Sequence, residues 1–234
     1  MGYETIKNKW NYVSTVESST GYEDVMDKLR SYEKYMQDTV GADGKKTKVF
    51  NTLTESEKER LVQEVYDIYR GKNIFPIVYY NQKGVAKEIK KCIDKDVSDW
   101  DGKVLNLRYT QGSGLGKFFN RNMFDVVVRD NPDTQLKRFY QEKGLKKAIE
   151  FCFRYDTGVR PAQVQAGLRM TSSVATNFPA MRAKALYEHF TPKGGTILDF
   201  AHGFGGRILG ALSSKNDYKY IGIDPNTETS ENVQ

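Results

Sequence analysis

The chain has 234 residues, 38% hydrophobic and 28% charged, with a formal net charge of +6. That length suits one large domain or two modest ones. Its apolar runs fall well short of the ~20 residues of a membrane-spanning helix. The start, Met1-Gly2-Tyr3-Glu4-Thr5-Ile6, has no basic-then-apolar leader, and Ile6 breaks the myristoylation pattern. A cytoplasmic protein with no membrane partner is therefore expected. The two cysteines, Cys92 and Cys152, are too few for a zinc cluster and read as free thiols, and no metal site is expected.

The charge is uneven. Residues 1–100 hold 17 basic and 17 acidic side chains, 101–200 hold 16 and 9, and 201–234 hold 3 and 4. A basic excess in the middle can attract a polyanion such as DNA, or simply be a solvated surface.

In chain order, Tyr22, Met26, Leu29, Tyr32 and Met36 fall at roughly helical spacing. The run from Gly41 to Lys46 predicts a flexible loop. Thr54-Glu55-Ser56-Glu57 matches a capping box, followed by Leu61, Val65, Ile68 and Tyr69 on one face and ended by Gly71. Val85 to Ile93 looks helical. Val104–Leu107 and Phe124–Val128 read as strands, Gln135–Phe153 as one helix, and Arg160-Pro161 as a turn or extended stretch. A helix over Phe178–Phe190, entered through Pro179, closes at Lys193-Gly194-Gly195. A buried strand over Thr196–Asp199, a glycine loop, a helix from Arg207 and a second buried strand over Tyr218–Asp224 then compose a parallel β–α–β unit. Tyr79-Tyr80 and Phe118-Phe119 could stack bases, but buried aromatics are commoner.

Two glycine stretches invite a ligand. Gln111-Gly112-Ser113-Gly114-Leu115-Gly116-Lys117 fails the phosphate-loop pattern, because Gln111 and Phe118 stand where Gly and Ser or Thr are needed. It reads as a mobile basic loop or a connecting turn. Gly203 and Gly205 are better placed, between a strand and a helix. Ile208 stands where a dinucleotide fingerprint needs glycine. Asp199 before the loop would repel a pyrophosphate but can accept from an ammonium group. Asp224, at the end of the next strand, suits the hydroxyls of a ribose. A ribose joined to an amine-bearing tail fits S-adenosylmethionine.

Asp199-Phe200-Ala201-His202-Gly203-Phe204-Gly205 resembles the D-x-x-x-G-x-G motif of class I S-adenosylmethionine-dependent methyltransferases. Tyr220-Ile221-Gly222-Ile223-Asp224 looks like their second motif. Asn177-Phe178-Pro179-Ala180 is similar to the segment before the first motif in amino-group DNA methyltransferases, which act on adenine-N6 or cytosine-N4. The resemblance covers about residues 170–230. It implies S-adenosylmethionine as cofactor, with Phe178, Pro179, Asp199, Phe200, Ala201, Gly203, Gly205 and Asp224 as its binding residues. It departs from the family at Phe200, where Pro is common, and at Arg207, which could meet the cofactor carboxylate or cap an acidic surface. His202 reads as a polar loop residue without a partner, and His189 as a helix-end cap.

The family's catalytic loop, Asp/Asn/Ser-Pro-Pro-aromatic, holds the reacting amine in line with the methyl group. No Pro-Pro pair occurs in the chain, and Asn131-Pro132-Asp133 reads as a turn or helix start. No catalytic residue is therefore assigned. The expected fold is α/β: a mixed α+β region over 1–165, with DNA contact possible, then the incomplete start of a Rossmann-like methyltransferase sheet over 166–234. Two strands alone bury too little to be independently stable. The expected function is that of a DNA methyltransferase fragment or split half, with DNA and a completing polypeptide as partners, inactive as this chain alone. A non-catalytic DNA- or protein-binding module, and an RNA or protein methyltransferase, are the alternatives.

Overall fold

A computed structural model describes residues 17–97, 109–128 and 131–232. The strand expected over Val104–Leu107 lies outside the described residues.

Helix α1 spans Glu17–Arg30 and is followed by a 3-10 turn over Glu33–Met36, so the expected first helix breaks before Met36. Strands β1 (Asp38–Val40) and β2 (Lys46–Lys48) pair antiparallel. The expected flexible loop between them is instead a hairpin turn. Gly41 donates to the Lys45 carbonyl at 2.8 Å, and Gly44 adopts φ +74°, which glycine alone takes freely.

Helix α2 (Glu55–Lys72) has the predicted capping box. The Glu57 amide donates to Thr54 Oγ1, and the Thr54 amide donates to Glu57 Oε2 at 2.9 Å. Leu61, Val65 and Tyr69 are buried, and the helix ends at Asn73 in the left-handed region, two residues beyond Gly71. Helix α3 covers Gln82–Asp94 and α4 covers Ser113–Phe119. The 111–117 stretch is thus a helix start, not a mobile loop. A Cβ at Gly114 would stand 2.2 Å from Tyr80 Oη, and one at Gly116 2.4 Å from Asn177 Nδ2, so these glycines serve packing.

Phe124–Val128 is not a strand. A 3-10 turn ends at Phe124, and only an isolated bridge joins Val128 to Asn131. Its β-forming composition meets no ladder, and β preference depends on such neighbours. Phe124 packs instead on Phe75, with ring centroids 4.9 Å apart.

The expected 135–153 helix is two, α5 (Gln135–Tyr140) and α6 (Glu142–Tyr155), broken at the extended Gln141. A Cβ at Gly144 would stand 2.3 Å from the Arg138 carbonyl oxygen, so glycine lets the chain turn back on α5 there. Pro161 opens helix α7 (Pro161–Arg169), not a turn. Helix α8 is Ala180–Phe190, with Pro179 at its N-cap. Strand β3 (Gly195–Asp199), helix α9 (Gly206–Leu212), strand β4 (Tyr218–Gly222) and helix α10 (Thr227–Asn232) complete the order.

The chain divides into two compact units, Met1–Tyr79 with Phe124–Ala175, and Tyr80–Met123 with Thr176–Gln234. The expected boundary is a single step after 165; the chain instead crosses between units three times. The first unit centres on aromatic packing. Phe50 stacks on Phe153 at 4.7 Å, Phe75 meets Phe139 edge-on at 5.2 Å, and Tyr69 Oη donates to the Val159 carbonyl. The second includes a buried cluster of Cys92, Val97, Ala180, Met181 and Ala185. Cys92 and Cys152 are both free and buried. The architecture is mixed α/β with two-stranded sheets, and no described helix is long and apolar enough to cross a membrane.

Candidate functional site

The predicted β–α–β unit is present in the second unit. β3 and β4 pair parallel, with Gly195 opposite Tyr218, Ile197 opposite Tyr220 and Asp199 opposite Gly222. Beyond the strands the pairing continues. Ile223 donates to the Asp199 carbonyl at 2.8 Å, and His202 donates to the Ile223 carbonyl at 3.2 Å. The carboxyl ends of both strands are therefore held side by side, with Asp199 closing one and Asp224 two residues past the other.

The strands are not buried as expected. Leu198 and Ile221 face each other in register and remain 63% and 40% exposed. Strand side chains alternate between faces, so α9 covers one face and the other lies open. Among the described residues neither strand pairs with a third. Phe200 is 81% exposed beside this open face.

The glycines divide by role. Gly203 (φ +60°) and Gly205 (φ +81°) adopt left-handed conformations that bend the chain from β3 into α9. Gly206 and Gly210 lie one turn apart on α9 and let it approach α8. A Cβ at Gly206 would stand 1.9 Å from the Phe178 carbonyl oxygen, and one at Gly210 2.6 Å from that of Ala180. Asn177 clamps the junction: its Oδ1 accepts from Gly206 at 3.1 Å, and its Nδ2 donates to the Phe204 carbonyl at 2.8 Å. Asn120 Nδ2 donates to the same carbonyl at 3.1 Å. Phe178 and Pro179 thus lie beside the glycine turn, with Phe178 under the Arg207 guanidinium at 5.6 Å.

Asp199 is heavily engaged. Its Oδ2 accepts from Arg207 Nε at 2.5 Å and from Tyr220 Oη, and its Oδ1 accepts from the Ala201 amide at 3.2 Å. Burial opposes ionisation, but the bonds from Tyr220 and Arg207 outweigh it and hold the carboxyl below its usual range. Tyr220 is pushed up by burial and by the Asp199 charge, and Tyr187 by burial and the same charge to about 12.

Asp224 is half-buried and less committed. Its Oδ2 accepts from the Gly203 amide at 2.9 Å and its Oδ1 from the Asn226 amide at 2.9 Å. Burial opposes its charge too, yet these amide donors lower its pKa. One bond per oxygen leaves a carboxylate with acceptor capacity for a ligand.

His202 corrects the expectation of a partnerless loop residue. It is buried, with Nδ1 on the Gly203 carbonyl at 2.9 Å and Nε2 facing Ser230 Oγ at 3.1 Å. It pins the loop to α10. His189 lies in the last turn of α8, as expected. Tyr79 and Phe118 are buried, whereas Phe119 is exposed. The clamps by Asn177 and His202 left no signal in the sequence, because their partners are mainly backbone atoms. Among the described residues no three His, Cys, Asp or Glu side chains are gathered as a metal site requires.

The arrangement can present the Asp224 carboxylate and a glycine turn to a polar ligand, with Asp199 already engaged by Arg207 and Tyr220. A Cβ at Gly203 would meet nothing closer than 3.9 Å, so the space over this turn is open. Comparison of the chain with protein-family models, curated proteins and solved structures gave no match in any of the three.

Proposed function

We propose that the second unit is the cofactor-binding part of an S-adenosylmethionine-dependent methyltransferase directed at adenine-N6 or cytosine-N4 of DNA. One observation carries the reading: parallel β3 and β4 end in acids on either side of a positive-φ glycine turn, and Asp224 holds that turn through the Gly203 amide. Asp224 keeps lone pairs for ribose hydroxyls, as the acid after the second strand does in nucleotide-binding folds. Phe178, Pro179, Phe200, Ala201, Gly205 and Asp199 border the same turn. S-adenosylmethionine would supply an activated methyl group there.

The apolar face left open at Leu198 and Ile221 is one that a Rossmann-like sheet covers with helices, and the amine-positioning Pro-Pro-aromatic loop, which occurs nowhere in the sequence, would come from another polypeptide. The basic excess supports DNA as the substrate: the second unit holds 15 basic and 11 acidic residues.

Isothermal calorimetry with S-adenosylhomocysteine tests the cofactor. Weak but saturable binding is expected, and absence of binding overturns the reading. Methyl transfer to duplex DNA by this chain alone would overturn the external origin of the catalytic loop.

A further inference from the structure

Arg207, at the start of α9, is held against two residues of this site. Its Nε is bonded to Asp199 Oδ2 and its guanidinium carbon stands over the Phe178 ring, 5.6 Å from the centroid, so the group is held from two sides. Among the described residues its Nη atoms have no hydrogen-bond partner, although the side chain is only 26% exposed. One of them, Nη2, borders the open space over the glycine turn. The two atoms closest to a Cβ built on Gly203 are Arg207 Nη2 and the Ala201 carbonyl oxygen, each 3.9 Å away.

A fixed guanidinium donor and a carbonyl acceptor flanking one gap complement a zwitterion. A carboxylate fits the guanidinium, whose parallel N–H groups match its two oxygens. An ammonium fits the carbonyl. The Asp199 bond orients Arg207 without consuming its outer donors, and Asp199 itself has little capacity left for a ligand.

We infer that Arg207 is the specificity-determining residue of the glycine-turn site, selecting ligands that carry a free α-amino-acid end by binding their carboxylate, with the Ala201 carbonyl receiving the ammonium. This inference rests on the proposed cofactor site and deepens it. It separates nucleoside ligands with an amino-acid tail from those with a plain amine or thioether tail.

The test is calorimetry on the full chain with three ligands: S-adenosylhomocysteine, decarboxylated S-adenosylmethionine and 5′-methylthioadenosine. The wild type should prefer S-adenosylhomocysteine over the decarboxylated ligand by about 10- to 100-fold, the range for a charge-assisted hydrogen bond. Arg207→Met should erase that preference while leaving 5′-methylthioadenosine binding unchanged. Arg207→Lys keeps the charge and should retain part of the preference, and circular dichroism of both variants confirms folding. Equal wild-type binding of all three ligands overturns the role of Arg207 and leaves the nucleoside site standing. A preference that survives Arg207→Met does the same. Binding of none overturns both.

Discussion

The Gly203 amide donates to Asp224 Oδ2 at 2.9 Å, joining the loop after β3 to the acid after β4. The bond spans 21 residues of sequence and makes the turn's shape depend on the acid. Asp224→Ala removes it together with the bond from Asn226. The expected stability loss is about 1.5–3 kcal/mol, as for hydrogen bonds to a charged group. Under the proposed function, in which Asp224 both accepts from the ribose and supports the turn, affinity for S-adenosylhomocysteine should fall at least about tenfold. Thermal melting and calorimetry on the same preparation check both effects.

Gly206 and Gly210 differ from Gly71 in what surrounds them. The first two lie 1.9 and 2.6 Å, by a built Cβ, from the carbonyls of Phe178 and Ala180, and backbone there cannot yield cheaply. Gly206→Ala and Gly210→Ala should each cost about 2–3 kcal/mol or more by forcing α8 and α9 apart. Gly71 lies in α2 with nothing within 4 Å, so Gly71→Ala should stabilise by about 0.5–1 kcal/mol through helix propensity. Urea unfolding of the three variants should give opposite signs.

Local signals in this sequence survive into the structure where the physics is local. The capping box at Thr54 and Glu57 needs only neighbouring residues, and α2 begins there. The β–α–β order after Thr196 follows from apolar runs around a glycine turn, and β3 and β4 form and pair parallel. Phe124–Val128 shows the limit: five residues with strand composition form none, and among the described residues no second strand lies alongside. The Gln135–Phe153 helix breaks at Gln141 because of contact between Gly144 and Arg138, which no periodicity records. The membership of residues 80–123 in the second unit was equally hidden. It rests on distant pairs such as Asn120 with Phe204 and Lys184 with Cys92. At the site, Asp199, Gly203, Gly205 and Asp224 were legible as one motif. The Asp199–Arg207–Tyr220 cluster was not: Arg207 stood out as an extra charge, but nothing local named Asp199 as its partner, and Tyr220 read as an ordinary strand residue.

Lys184 is buried on α8, and its Nζ donates to the carbonyls of Cys92, Ile93 and Lys95 at 2.8–2.9 Å. These carbonyls end α3, where a helix has acceptors without intrahelical donors and a negative dipole end. Burial lowers the pKa of Lys184, partly offset by Glu188. Lys184→Met keeps the stem and removes three donors, leaving the carbonyls unmet in a closed environment. The expected loss is about 2–3 kcal/mol. Hydrogen exchange should speed up selectively in the last turn of α3 if the lysine acts as its cap, whereas a uniform change would point to general loosening.

Asp199 makes the second unit sensitive to acid. Burial raises its pKa, but the bonds from Tyr220, Arg207 and the Ala201 amide bring it below the ordinary value. A carboxyl with a folded pKa below its unfolded value of about 3.9 stabilises the fold fully above that value. The contribution disappears as pH falls through the lowered folded pKa. Wild type should therefore exceed Asp199→Asn in stability by a constant margin from neutral pH down to about pH 4. Below that the two should converge. Urea midpoints measured from pH 7 to pH 2 give the curve directly. A margin that widens with acid would mean that Asp199 is held in its protonated form, contrary to the bonds it accepts from Arg207 and Tyr220.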